Sequence, residues 1–144
     1  MKLLALALVI ISMQGCIYTQ NGTIRNDTDR TVLVGAFSSY SKIAPLQAVQ
    51  VEFIYCLEVT SPEDTRYYGV PQVSDGVFIG HNSSANVDAP TSKVPVDAYR
   101  KGRPLDDVAL VFTDDGLFFD SATQGLVPVL ESEQCSEDST AISD

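Results

Sequence analysis

The clearest pattern along the chain is a regular alternation of apolar and polar residues over positions 48–60. The apolar positions of this segment are Val49, Val51, Phe53, Tyr55, Leu57 and Val59. A period of two places these side chains on one buried face of a β-strand and puts Cys56 on the opposite face. Because strands are usually about five or six residues long, we predict that this segment bends or contributes to two sheets.

Other parts of the chain contain the short β-branched and aromatic runs that are typical of strands. We predict strands at residues 22–25, 31–37, 66–70, 77–80, 108–113, 117–119 and 127–130. The turn-rich residues 26–30 predict a hairpin between the first two of these strands, because Asn, Asp and Thr favour tight turns. Asp115-Gly116, between two apolar runs, predicts a second hairpin.

These signals together predict an all-β domain over residues 23–130. Helical periodicity is nearly absent, and residues 96–101 predict a single helical turn before Gly102. About seven to eight short strands separated by turns are typical of a small antiparallel β-sandwich or barrel. Residues 131–144 carry five acidic residues and no basic one, so we expect this tail to be mostly disordered beyond Cys135.

The N-terminus has the pattern of an export signal. Met1-Lys2 precedes an unbroken apolar run over residues 3–11. A membrane span needs about 20 apolar residues, whereas a run of this length is typical of the apolar region of a signal peptide. We therefore predict that residues 1–15 are a cleaved signal peptide.

The run ends in Met13-Gln14-Gly15-Cys16, which resembles a bacterial lipobox. The resemblance implies that Cys16 is acylated, with palmitate or a similar chain, and becomes the mature N-terminus, with residues 16–22 as a short tether. The residue after the cysteine is Ile17. In this position the chain resembles lipoproteins that are forwarded to the outer membrane. The resemblance thus implies a lipid-anchored protein of the bacterial cell envelope, in the outer membrane and facing the periplasm or the exterior. The alternative is a plain secretory signal.

The cysteine count agrees with this interpretation. The chain has three cysteines, and an odd number is awkward for a protein in an oxidising compartment. If Cys16 carries lipid, Cys56 and Cys135 remain as one pair. We predict a disulfide between them.

A eukaryotic secreted glycoprotein stays open as an alternative. Asn21, Asn26 and Asn82 each begin an N-x-S/T triplet, which is the acceptor sequence for N-linked glycans. Asn, Ser and Thr also crowd together as turn residues in any exported β-rich domain. The triplets therefore do not decide between the two compartments.

Composition narrows the class of partner. The 144 residues have a formal net charge of −10, which argues against nucleic acid, since its binders need a basic face. The length fits one domain. We expect contact with the membrane through the N-terminal lipid and a protein partner in the envelope.

Few residues suggest a catalytic or metal-binding role. His81 is the single histidine, and the sequence contains neither a G-x-S-x-G elbow nor metal-binding H-x-x-x-H or C-x-x-C spacing. We expect no catalytic residues and no cofactor. The weak candidates for a Ca²⁺ site are Asp114, Asp115 and Asp120, since carboxylates at one end of a sandwich can supply hard oxygen ligands.

The sequence therefore favours a membrane-anchored envelope protein that acts as a non-catalytic interaction or structural module. A β-sandwich that binds Ca²⁺ or a small ligand is the second hypothesis, and an enzyme is a third. Two adjacent aromatic pairs, Tyr67-Tyr68 and Phe118-Phe119, bear on the first hypothesis. Neighbours on a strand point to opposite faces, so we expect one residue of each pair to face outward, where it is available for a partner.

Overall fold

In the computed structural model, which describes residues 18–36, 39–79 and 94–140, the chain forms twelve strands within those ranges. The strands are β1 (Gln20–Asn26), β2 (Val32–Ala36), β3 (Ser39–Ile43), β4 (Ala48–Phe53), β5 (Cys56–Thr60), β6 (Thr65–Gly69), β7 (Gln72–Ser74), β8 (Val77–Ile79), β9 (Tyr99–Arg100), β10 (Asp107–Thr113), β11 (Gly116–Ser121) and β12 (Gly125–Pro128). A 3-10 turn covers Val96–Ala98, and one α-helix, α1, covers Glu133–Thr140. The predicted all-β class is confirmed. The fold is a small sandwich and not a closed barrel, and the strand count exceeds the expected number because several strands have only two or three residues.

The first sheet has the order β12-β11-β10-β1-β4, and β9 pairs with the start of β10. Its neighbours are antiparallel except β1 and β10, which run parallel from Gly22 opposite Val108 to Asn26 opposite Phe112. The starts of these two central strands therefore lie at the same end of the sandwich. We call it the N-terminal end.

The second sheet is antiparallel and has the order β3-β2-β5-β6, while β7 and β8 form a separate hairpin. The outer edge of β6 is covered by the chain that follows β12. Gly69 N–H donates to the carbonyl of Leu130, and Ser132 N–H donates to that of Tyr67. This pairing removes an exposed strand edge, which would otherwise be a site for unwanted association.

The long alternating segment confirms the prediction that it serves two sheets. Residues 48–53 form β4 in the first sheet and residues 56–60 form β5 in the second. The chain bends at Ile54 and Tyr55. The period of two continues on both sides of the bend, because Phe53 and Leu57 are both fully buried.

The predicted hairpin between residues 22–25 and 31–37 is wrong. β1 pairs with β10 and β4 in the first sheet, whereas β2 pairs with β3 and β5 in the second. Residues 27–31 therefore connect two sheets and do not turn one strand back on the other. By contrast, the hairpin at the Asp-Gly step is confirmed: Thr113 pairs with Gly116 around Asp114 and Asp115, and Gly116 has a φ of 131° that favours glycine.

Both sheets contribute to one hydrophobic core. Its largest fully buried members include Ile24, Phe53, Leu57, Tyr68 and Leu110. β1 crosses this core with inward positions at Gln20, Gly22, Ile24 and Asn26. Gly22 is required there, because a Cβ atom at this position would lie 2.9 Å from the ring of Phe53.

The C-terminal region differs from expectation. The sequence predicts disorder beyond Cys135, yet α1 spans Glu133–Thr140 and packs against β5 and β6. Its sequence EQCSEDST has no apolar stripe that would have predicted it. None of the helices in the described ranges has the length and apolar content needed to cross a membrane.

Candidate functional site

The two cysteines that the sequence pairs are joined. Cys56 and Cys135 form a disulfide with a Cα–Cα distance of 5.4 Å. Cys56 lies on the face of β5 opposite to the buried Leu57 and Val59, as the alternation predicted. Cys135 lies in the first turn of α1 and is 2% exposed. The bridge therefore fixes α1 to the outer face of the second sheet.

Cys16 and His81, together with the Asn82 triplet, lie outside the described residues. What the structure does give is the start of the domain. Gln20 is fully buried at the beginning of β1, and its Nε2 donates to the carbonyls of Ile54 and Val70 at 2.9 Å each. The folded domain therefore begins a few residues after Cys16.

The weak Ca²⁺ candidates are not brought together. Asp114 and Asp115 form the turn between β10 and β11, whereas Asp120 lies near the far end of β11. At about 3.4 Å per strand residue, Asp115 and Asp120 are about 17 Å apart along the chain. In the described part of the chain, no three His, Cys, Asp or Glu residues are grouped so that they could hold a metal ion.

Asp114 instead belongs to an ion-pair cluster at the end opposite the N-terminal end. Arg30 lies within 3.4 Å of Asp29, donates to Asp114 at 2.6 Å and contacts Glu63. These residues come from three different loops, after β1, β10 and β5. We call this region, residues 27–30, 61–64 and 114–115, the acidic end.

Two carboxyl groups at the acidic end are held by arginines, one on β1 and the other on β6. Arg25 donates to both oxygens of Asp27, at 2.7 and 2.9 Å, and these hydrogen bonds lower the pKa of Asp27. Arg66 donates to Asp64 at 2.8 Å and lowers the pKa of that carboxyl in the same way. The carboxyl groups of Asp27 and Asp64 therefore stay ionised to a lower pH than unpaired carboxyl groups would.

At the N-terminal end, a buried carboxylate organises the loops. Asp106 is 2% exposed and accepts hydrogen bonds from the backbone N–H groups of Asp75, Gly76 and Gly102, at 3.3, 3.0 and 3.1 Å. It thus ties the β7–β8 turn to the loop that precedes β10. Nothing in the sequence pattern indicated this role for Asp106.

Asp97 joins the 3-10 turn to the β11–β12 turn at the same end. Its carboxylate accepts from the Ser121 hydroxyl at 2.7 Å and from the N–H and hydroxyl of Thr123 at 2.9 and 2.7 Å. These hydrogen bonds, led by that from Ser121, hold the pKa of Asp97 below its ordinary value of 3.8. The folded state therefore favours the ionised carboxylate of Asp97.

This arrangement predicts an acid-dependent contribution to stability. Because the folded state lowers the pKa of Asp97, its contribution is present above the unfolded value of 3.8 and is lost as the pH falls through the folded value. We expect Asp97→Asn to be less stable than the native chain at pH 7, and the gap to close at low pH. Urea unfolding at both pH values measures it. Asp115→Asn in an exposed turn is the control; a gap that persists unchanged in acid would contradict the prediction.

The surface of the N-terminal end combines apolar and basic side chains. The exposed fractions there are Tyr18 50%, Val77 66%, Ile79 42%, Val96 41% and Leu126 46%. Arg100 at the end of β9 is also exposed, as are Lys101 and Arg103 in the loop that follows. Lys101 lies 3.1 Å from Asp75. This surface was not singled out by the sequence, because its residues come from five separate segments.

The aromatic pairs divide as expected between inward and outward positions. Tyr68 and Phe119 are buried, at 1% and 2% exposed, while Tyr67 and Phe118 are half-buried. The outward members therefore present part of each ring, and neither belongs to the exposed apolar set of the N-terminal end.

The fold makes one of the three glycan acceptor triplets inaccessible. Asn26 is fully buried, and its Nδ2 donates to the carbonyls of Arg30 and Ile43 at 2.6 and 2.9 Å. The nitrogen that a glycan would occupy is therefore engaged inside the domain. Asn21, by contrast, is exposed on the outer face of the same strand.

Comparisons with protein-family models, with curated proteins and with solved structures give no match to this chain.

Proposed function

We propose that the protein is a lipid-anchored component of the bacterial cell envelope that acts at the membrane surface as a non-catalytic interaction or structural module. The signal sequence that ends in Gly15-Cys16 supports the anchor. The Cys56–Cys135 disulfide supports an exported protein, because such bridges persist in oxidising compartments.

The observation that carries this proposal is the position of Gln20. It is fully buried at the start of a central strand, so the domain has no long spacer after Cys16. At about 3.5 Å per residue, the chain between Cys16 and Gln20 spans at most about 14 Å. A lipid on Cys16 would therefore hold the sandwich against the membrane.

The roles of the buried and paired charges favour a module that binds over one that catalyses. Asp106 caps backbone N–H groups, Asp97 joins two turns, and Arg30 links three loops. Each of these ionisable groups serves to hold loops in place. Such rigid loop ends suit a domain that presents a fixed surface to a partner in the envelope.

Loss of the anchor tests the proposal. We expect the native chain, expressed in a bacterial host, to fractionate with membranes and to carry an acyl mass on Cys16, whereas Cys16→Ala moves to the soluble fraction. Several acyl chains anchor stably, since each buried CH₂ contributes about 0.8 kcal/mol. Fractionation and mass spectrometry measure both results.

Ser12→Ala is the matched control, because it alters the same signal but leaves Cys16 in place. It should remain membrane-bound. Finding the native chain soluble and without acyl mass would overturn the anchor. Cross-linking in intact cells then tests the interaction role, with adducts to a second envelope protein as the expected result.

A further inference from the structure

We infer that the N-terminal end of the sandwich is a membrane-contact surface, which lays its exposed apolar side chains and its basic loop on an anionic bilayer. This inference rests on the proposed function for the nearness of the membrane. It specifies the face of the domain that contacts the lipid. In this orientation the acidic end points away from the membrane.

The topology gathers this surface around the start of the described chain. Gln72 Nε2 donates to the carbonyl of Tyr18 at 2.8 Å, which places β7 beside the first described residue. The N–H of Asp106 donates to the carbonyl of Val73 at 2.7 Å, which adds the loop before β10. Because β10 runs parallel to β1, this loop must lie at the same end as the tether.

The exposed apolar side chains concentrate here. Eight large apolar residues in the described ranges are exposed. Five of them belong to the N-terminal end: Tyr18, Val77, Ile79, Val96 and Leu126. Leu126 is included because it follows Gly125, which pairs with Ser121 at the N-terminal end of the first sheet. Exposed apolar side chains gathered at one end of a domain are typical of a site of protein or membrane contact.

The charge distribution favours the membrane in the same orientation. Arg100, Lys101 and Arg103 are three of the nine basic residues in a chain of net charge −10. They lie within four positions and are all exposed, on long side chains that can reach phosphate groups. The acidic end carries Asp29, Glu63 and Asp114 around Arg30. The N-terminal end also carries the carboxylates of Asp75 and Asp97, but Lys101 lies 3.1 Å from Asp75, and Ser121 and Thr123 donate to Asp97. Arg100 and Arg103 therefore supply the attraction for anionic headgroups at this end.

The short tether favours a bilayer over a protein as the occupant of this surface. With at most about 14 Å of chain between Cys16 and β1, the bilayer is the nearest surface to these side chains. Apolar residues bordered by Lys and Arg are also the composition of segments that lie in the membrane interface. A protein partner at this end remains an outcome of the test.

The absence of tryptophan from the sequence allows a direct test with single-tryptophan variants. Val77→Trp places one at the N-terminal end and Leu46→Trp places one at an exposed position near the acidic end, where Leu46 N–H donates to Asn26. The oxidised chain from Cys16 onward is coupled through its remaining thiol to a maleimide lipid. The vesicles contain phosphatidylglycerol and brominated phosphatidylcholine.

We expect the tryptophan emission of the Val77→Trp variant to fall by about half, since side chains at such surfaces enter about 5–10 Å into the headgroup–acyl boundary. The emission of the Leu46→Trp variant should stay unchanged. Circular dichroism checks that both variants fold. Because the lipid is attached chemically, the result does not depend on natural acylation of Cys16, so this inference and the proposed anchor can fail separately.

The basic loop is tested by changing Arg100, Lys101 and Arg103 to Gln in the Val77→Trp chain. The matched control makes the same change of three charges elsewhere, with Lys42→Gln, Gln47→Glu and Gln50→Glu, all exposed positions. We expect the loop variant to lose quenching on anionic vesicles and the control to keep it. Equal quenching at positions 77 and 46, or no quenching at 77, would overturn the inference and leave this surface to a protein partner.

Discussion

Removing the Cys56–Cys135 disulfide is expected to lower the free energy of unfolding by about 4.5 kcal/mol, which is the entropic value for a closed loop of this length. The two cysteines are 79 residues apart, so the bridge restricts most of the unfolded chain. Domains of this size are stable by about 5–15 kcal/mol in total. The bridge therefore accounts for a large share of the stability.

The loss of folded structure should begin at the C-terminus. α1 has eight polar or small residues, and isolated helices shorter than about 12 residues are marginal in water. We expect α1 to unfold when the bridge is reduced, because the buried Cys135 joins this helix covalently to the second sheet. Residues 125–130 should stay folded, since Val129 is buried and its N–H donates to Leu117.

Urea unfolding with and without reductant measures the first effect, and hydrogen exchange over residues 133–140 measures the second. The double variant Cys56→Ala, Cys135→Ala should behave like the reduced native chain and should not respond to reductant. Cys16→Ala is the control, because it removes a cysteine and keeps the bridge. Two titratable thiols at positions 56 and 135 in the oxidised protein, or equal urea midpoints with and without reductant, would contradict this account.

The sequence predicted the features of this fold that depend on local periodicity. The alternation over residues 48–60 gave the buried face, the outward position of Cys56 and the division between two sheets. The Asp-Gly step gave the β10–β11 hairpin because turn chemistry acts over a few residues. In each case the signal and its structural consequence lie in the same short segment.

The features it missed depend on contacts between distant segments. β1 pairs in parallel with β10, more than eighty positions along the chain, and that pairing overrode the local hairpin signal between β1 and β2. α1 has no apolar period and is held by a covalent bridge. The role of Asp106 could not be predicted, because the three N–H groups that donate to it come from segments that only the fold brings together.

The candidate site follows the same division. Cys56 and Cys135 could be paired from the number of cysteines and the predicted export of the chain. The N-terminal end could not be predicted, because its five exposed apolar residues are spread from Tyr18 to Leu126 and only the sheet order brings their segments to one end of the sandwich. Asp114 and Asp120 failed as a Ca²⁺ pair because an extended strand separates residues that are close in sequence.

The second large effect is expected at Asn26, whose replacement by Ala should cost about 3 kcal/mol, the upper range for leaving buried polar groups unpaired. Its Nδ2 donates to Arg30 and Ile43, and its Oδ1 accepts from the N–H and hydroxyl of Thr28 at 3.0 and 2.7 Å. The side chain thus joins the end of β1 to the turn that follows it and to the end of β3. With Asn26→Ala, several buried polar groups lose their partner at once.

Asn21→Ala is the matched control, since it changes the same residue type on the exposed face of the same strand and should alter stability by less than about 0.5 kcal/mol. Urea unfolding of the oxidised chains measures both. The same two positions test the glycoprotein alternative in a eukaryotic secretory host. There we expect the folded protein to carry a glycan on the exposed Asn21 and none on the buried Asn26. Equal stability of the two Ala variants, or a glycan on Asn26 of the folded protein, would show that Asn26 does not hold these loops together.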